Sequence, residues 1–165
     1  MARRKDGIET RERILTVACV VFADRGYHDA TVEEICTRAK TNIAAINYHF
    51  GGKDKLYAEV WQRAFDEANA AYPPEGGLAP DAPVEDRLHG MIHSLVGRSV
   101  NPGRIGHAGK LLLQEIVYPT EVIEHIKHKA IGLVRKRIDA LMKELLGPQA
   151  TDEHVMLCAM SIMHQ

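Results

Sequence analysis

Residues 31–53 read TVEEICTRAKTNIAAINYHFGGK, and the parsing of this stretch decides the fold. Thr31 suits an N-cap, and Glu34 three residues later suits the returning arm of a capping box, in which each side chain accepts from the other residue's backbone N–H. A helix therefore starts at Thr31. Val32, Ile35, Cys36 and Ala39 recur at helical spacing and form one apolar stripe, which leaves Glu33, Thr37 and Arg38 toward water. Lys40, Thr41 and Asn42 interrupt that period, and Asn42 is a good N-cap for a second helix beginning at Ile43. The pattern is helix, three-residue turn, helix.

In the second helix, Ile43, Ile46 and Phe50 fall at i, i+3 and i+7 and are expected to face inward, leaving Ala44, Ala45, Asn47 and Tyr48 outside. A solvated helix face normally carries Lys and Glu. This one offers two methyl groups, a carboxamide and a phenol, with a cation nearby at Lys53. Small side chains let a backbone approach a surface closely, alanine can touch a thymine methyl, and asparagine can pair bidentately with adenine. Tyr48 and Lys53 suit phosphates, which position a protein without specifying sequence. The face suits a groove of DNA; the plainer alternative is a small helical hairpin with a bland exterior.

The run GYHDATVEEICTRAKTNIAAINYHFGGKDKLY, residues 26–57, resembles the N-terminal DNA-binding domain of the TetR family of bacterial transcriptional regulators. The likeness extends over residues 10–61 and is sharpest in INYHFGGK, with apolar Ile46, aromatic Tyr48, then His49, Phe50 and Lys53. Lys40 and Thr41 stand where that family usually has Gly-Val, and Asn47 replaces a tyrosine that usually touches phosphate. A lysine in a turn that favours positive φ carries some strain. The DNA-binding set expected from the residues and the resemblance together is Thr31, Thr41, Asn42, Ala44, Ala45, Asn47, Tyr48, His49 and Lys53. The INYHF wording, with Pro119-Thr120, is similar to the CecR-like branch of the family.

With 165 residues the chain is long enough to bury a real core as one domain or two small ones. No apolar run approaches membrane-spanning length, and MARRKDGIETRER lacks the apolar core of a signal peptide. Cys19, Cys36 and Cys158 are far apart and odd in number, as expected of reduced core thiols in a cytoplasmic protein. The net charge of −1 argues against a generally basic DNA-binding surface, so any excess must be local: Arg3, Arg4 and Lys5 at the start, then Arg38, Lys40, Lys53 and Lys55 around the motif. The arm at residues 2–5 is either a solvated tail or a phosphate-tracking segment.

From Thr10 the pattern Ile14, Val17, Ala18, Val21, Phe22 predicts an amphipathic helix ended by Gly26, with Tyr27 packed behind it. Gly51 and Gly52 break the recognition helix, and Leu56, Tyr57, Val60, Trp61, Ala64, Phe65 and Ala68 define a long connecting helix over 53–71. Residues 72–83, YPPEGGLAPDAP, hold four of the chain's seven prolines and read as a loop separating a head, 1–52, from a body, 84–165. In the body, helices are expected from Val84 to beyond Val96, over 105–117, from a Thr120 cap to Leu146, and from Thr151 or Asp152 onward. The last shows no stop signal by Gln165, and relatives in the family generally continue further.

The expected fold is all-α. The resemblance implies a homodimer, a palindromic double-stranded DNA operator, and a small-molecule effector held in the body. Candidate effector contacts are Trp61, Phe65, Met91, His93, Leu111 and Glu115. Seven of nine histidines follow residue 88, and Glu85, His89 and His93 at i, i+4, i+8, or His125 and His128 beside Glu121 and Glu124, offer metal-ligand spacing. Without a second convergent cluster these read better as surface histidines, so no metal or cofactor is expected. No Gly-rich phosphate loop, nucleophile elbow or paired-carboxylate constellation suggests an enzyme. A helical association protein without a ligand is the remaining alternative.

Overall fold

The helical periods of the sequence are realised as eight α-helices in the computed structural model, which describes residues 2–101 and 103–163. They are α1 (Ala2–Asp29), α2 (Val32–Arg38), α3 (Ile43–Phe50), α4 (Lys53–Ala71), α5 (Val84–Val100), α6 (His107–Val117), α7 (Glu124–Leu146) and α8 (Asp152–Met163). No strand occurs among the described residues, so the all-α expectation holds. The basic arm is the N-terminal turn of α1 in backbone terms; the side chains of residues 2–5 lie outside the described residues.

Gly26 interrupts α1 with φ 74°, ψ 177°, a left-handed φ that a residue with a Cβ adopts only under strain. The predicted stop is thus met: the backbone leaves the helical conformation at Gly26, and residues 27–29 form a separate short turn beyond it. A Cβ at this position would also lie 2.9 Å from Gln114 Oε1 of α6, so two constraints select glycine here.

One core gathers Ile14, Ala18, Val21 and Phe22 of α1, Ile35 of α2, Ile46 and Phe50 of α3, and Leu56, Tyr57, Val60, Trp61 and Ala64 of α4. Ala108 and Leu111 of α6 and Ile123 complete it. Each large side chain taken fully out of water contributes about 1.5–3 kcal/mol, so this cluster is the main source of the fold's stability. A second, smaller core joins Met91 of α5 with Ile138, Leu141 and Met142 of α7 and Val155 and Ala159 of α8. The proposed boundary at 72–83 therefore separates helices but not cores, because α6 packs among the helices of the head.

The segment after α4 is also pinned down. Tyr72 O accepts from Arg98 Nε (3.0 Å) and a second guanidinium N–H (2.6 Å), Pro73 O accepts from Ser94 Oγ (2.6 Å), and Asn101 Nδ2 donates to Tyr72 Oη (2.9 Å). A one-turn 3-10 helix, Pro74–Gly77, then lies against Gly90 of α5 so closely that a Cβ there would sit 2.6 Å from Glu75 O.

Two other expectations are corrected. Helix α6 begins at His107 and α7 at Glu124. Thr120 does not cap α7: its Oγ1 donates to Glu115 Oε1 (2.8 Å) and its N–H to Glu115 Oε2 (3.0 Å), because the buried carboxylate draws in nearby donors.

Candidate nucleic-acid interface

The turn between α2 and α3 is built by local chemistry. Thr31 Oγ1 accepts from Glu34 N–H at 3.1 Å, which caps α2, but the Glu34 carboxylate does not return to complete the box. It binds Arg25 (2.9 Å) and Arg38 (2.7 Å) instead, since two guanidinium groups outcompete one neutral N–H for a carboxylate. Lys40 takes φ 49°, the strained left-handed conformation anticipated for this turn. Asn42 Oδ1 then accepts from Ala45 N–H at 2.9 Å and caps α3. Gly51, at φ 77°, ends α3 in the left-handed C-cap that glycine favours.

Ile46 and Phe50 anchor α3 in the core, at 0% and 6% exposure, whereas Ile43 is 46% exposed. The inward placement of Ile43 is thus wrong. In a helix the side chain leans toward the N-terminus, so a residue in the first turn overhangs the preceding loop and misses the core. The outward surface of α3 carries Ile43, Ala44, Asn47 and Tyr48, the last 85% exposed. Ala45 is half-buried and packs on the core. Thr41 is half-buried and Thr31 exposed, and both border the same surface in sequence. His49 is half-buried, edge-on to Tyr48 (5.0 Å between ring centroids) and to Phe50 (6.2 Å).

Lys53 opens α4 and is fixed by a contact that no sequence pattern marks. Its Nζ stands 4.4 Å from the centroid of the Tyr27 ring, while Tyr27 Oη donates to Asp54 Oδ1 at 2.6 Å. Partial burial lowers the Lys53 pKa, against the opposing pull of Asp54 and Asp29. The Tyr27 phenol is pushed up to about 12, first by burial and then by the Asp54 bond. Tyr27, expected only to pack behind Gly26, therefore orients the cation at the end of the recognition surface. Lys40 and Lys55 are exposed on either side of α3.

The six effector candidates do not surround one cavity. Trp61, Leu111 and Glu115 are buried where α4 meets α6, with the Trp61 ring stacked on half-buried Phe65 at 4.2 Å. Met91 belongs to the second core, and His93 is exposed with its ring 6.2 Å from Tyr72. The face of α6 read as a pocket wall is core because α1 and α4 close over it. Glu115 is the polar centre of that junction: besides Thr120, its Oε1 accepts from Tyr57 Oη at 2.8 Å, and Lys127 Nζ lies 3.7 Å from Oε2. Burial, then the bond to Glu115, raise the Tyr57 pKa. Among the described residues no three His, Cys, Asp or Glu side chains are placed to share a metal ion; His128 meets only Glu124, at 3.6 Å.

A capped helix, a tight turn and a second helix whose outer face carries Ile43, Ala44, Asn47 and Tyr48, mounted on an all-helical body, define a helix–turn–helix fold. Residues 14–60 match the model for the bacterial regulatory proteins of the tetR family, and residues 84–165 match the C-terminal domain of the HTH-type transcriptional dual regulator CecR. The chain belongs to the TetR family of transcriptional regulators. It is 31% identical over 104 residues to the HTH-type transcriptional regulator TtgW of Pseudomonas putida, a stretch that is 62% of this chain and 73% of that protein. It is 36% identical over 77 residues to the HTH-type transcriptional repressor NicS of Pseudomonas putida, 43% of this chain and 36% of that one. In the matches to NicS, SrpR and FasR the chain spans less than half of each relative's length. A TetR transcriptional regulator from Chloroflexus aurantiacus shares the fold, with a TM-score of 0.69 at 20% identity over 96% of this chain and 83% of that one.

Proposed function

We propose that the chain is a homodimeric, ligand-responsive transcriptional repressor that reads a palindromic DNA operator with α3. The observation that carries this reading is the outward surface of α3, where Ala44, Asn47 and Tyr48 stand clear of the core on a helix capped at both ends. Asn47 reads a base edge, adenine being the natural bidentate partner of a carboxamide, while Tyr48 and Lys53 hold phosphates. Two such helices in a twofold dimer enter successive major grooves roughly 34–36 Å apart, so the half-sites are inverted repeats about one helical turn apart. Exposed Met156 and Leu157 on α8 support a dimer surface at that end of the body.

An effector bound in the body favours a conformation whose heads no longer fit both half-sites, and a coupling of about 1–3 kcal/mol suffices for release. Selection of bound sequences from a random DNA pool, at stated salt, tests the reading. Enrichment of one palindrome is the expected result; its absence with folded, dimeric protein refutes it. On that operator Asn47→Ala loses discrimination between specific and random DNA, whereas Lys53→Ala weakens binding to both and flattens the salt dependence by about one unit of slope. Equal loss on both DNAs in Asn47→Ala removes its base-reading role.

A further inference from the structure

The body carries a groove of about 210 Å³ between the 3-10 turn after α4, the start of α5 and the middle of α7. Its composition is uneven. Arg87 lies in its wall, buried, donating Nε–H to Ala82 O at 3.1 Å and holding the carboxylates of Glu144 and, at 3.8 Å, Glu75. Those three residues pair with one another and leave one negative charge over. Lys136 and Arg137 also line the groove, both exposed, and neither has an acidic partner among the described residues. Their neighbour in sequence, Arg135, is satisfied by Asp139 at 2.8 Å. Half-buried Arg98 of α5 has its pKa lowered by burial and then by the charge of Arg137. In a chain of net charge −1 the groove thus holds three cations against two carboxylates, with another cation close by. Leu133, 50% exposed, supplies an apolar wall.

We propose that this groove binds a small amphiphilic organic anion, a single-ring or short-chain carboxylate, with its charge at Arg137 and Lys136 and its apolar part against Leu133. The volume accommodates the class: a cavity of roughly 150 Å³ already admits benzene, so one ring with a carboxylate fits. The charge sets the class. An anion there pairs with two exposed cations that have no acidic partner among the described residues, whereas a neutral molecule of the same shape meets only the apolar surface of Leu133, Ala140 and Leu141.

The position gives the site a route to the head. Glu75, with φ 55°, and Ala82 belong to the segment that follows α4, and both are held by Arg87. Arg98 holds Tyr72 O at the end of α4. An anion seated beside Arg87 acts on the segment that follows α4, and α4 begins at Lys53. This role as the effector site rests on the repressor reading above; the binding itself does not.

The test uses the full chain and three probes of one shape: benzoate, benzyl alcohol and benzylammonium, titrated by calorimetry or by ligand-observed NMR without DNA. Benzoate is expected to bind at least about tenfold more tightly than the other two, a gap of about 1.4 kcal/mol. Arg137→Gln, an exposed substitution whose fold is checked by circular dichroism, weakens benzoate at least about fivefold, Arg137→Lys restores most of the loss, and Arg135→Gln leaves it unchanged. Equal binding of benzoate and benzyl alcohol, no effect of Arg137→Gln, or no benzoate binding at about 10 mM each overturns the site. Benzoate binding that leaves operator affinity unchanged preserves the anion site and overturns only its regulatory role.

Discussion

Replacing Glu115 tests whether the head and body are held together by the buried polar junction at α4 and α6. In Glu115→Leu the Tyr57 hydroxyl, the Thr120 hydroxyl and the Thr120 N–H lose their acceptor, and Lys127 loses its nearest carboxylate. A buried donor left without a partner costs about 1–3 kcal/mol, and breaking a buried ionic network by removing one partner costs about 3–5 kcal/mol. Glu115 is 1% exposed and Tyr57 0%, so water cannot supply the missing bonds. The expected loss is therefore about 3–5 kcal/mol, a large part of the roughly 5–15 kcal/mol that holds a domain folded, and it lowers Tm by about 10 °C or more. Tyr57→Phe removes one donor while Oε1 keeps Thr120, and costs about 1–2 kcal/mol. Urea unfolding followed by circular dichroism gives both values. A double-mutant cycle of Tyr57→Phe with Glu115→Gln isolates the pair, with a coupling of about 1.5–3 kcal/mol expected for a bond to a charged acceptor. Coupling near zero, or Glu115→Leu within about 1 kcal/mol of wild type, refutes the junction as a stabilising contact.

Two further substitutions probe the turn and the pH response. Lys40→Gly removes the strain of an L-residue at φ 49°, worth about 1 kcal/mol, and part of that gain is offset by the freer unfolded chain; a small rise in Tm is expected, and a fall shows that the lysine side chain compensates its own strain. Burial, and next the nearby Lys110 charge, hold His107 below its ordinary value of 6.5. As pH falls below about 6.5 the unfolded chain takes up this proton before the folded one does, so stability is full above that pH and declines as pH approaches the lower folded value. The urea midpoint should drop between about pH 7.5 and 5.5 by more in wild type than in His107→Gln, and equal drops reject the assignment to His107.

The features legible in the sequence were those set within four residues of their cause. Thr31 and Asn42 cap α2 and α3 because a side-chain oxygen three residues back from an N–H depends only on local backbone. The strain at Lys40 was legible only through the resemblance, whose members usually carry glycine at that place. Glu34 was half legible: its position fits a capping box, but Arg25 lies on another helix and no spacing rule brings it near. Ile43 failed because helical spacing counts residues without asking whether a turn precedes them to pack on. The Tyr27–Lys53 contact joins residues far apart in sequence through the docking of α1 on α4, which periodicity does not describe.

The boundary at 72–83 marks where α4 stops without marking where one core ends, for a related reason. Proline and glycine report where a helix must stop, and residues 72–83 contain enough of both to end α4; they carry no information about which core the next helices enter. The stripe Ala108, Leu111, Glu115 on α6 has the period of any half-buried helix, and its partners are in α1, α4 and the turn at Thr120. Gly26 shows how close the two are: its φ was predictable from its place at a helix break, but its second task, making room for Gln114, follows only from the arrival of α6. Lys110 on α6 pairs with Asp24 on α1 at 3.0 Å, and Arg104 before α6 pairs with Glu67 on α4 at 2.5 Å. A displacement of α6 therefore cannot leave α1 and α4 untouched, and α4 leads directly to Lys53 at the edge of the recognition surface. The unit that positions α3 is α1 to α4 with α6 packed against them, so the stability of the outward face of α3 is inseparable from the packing of the body.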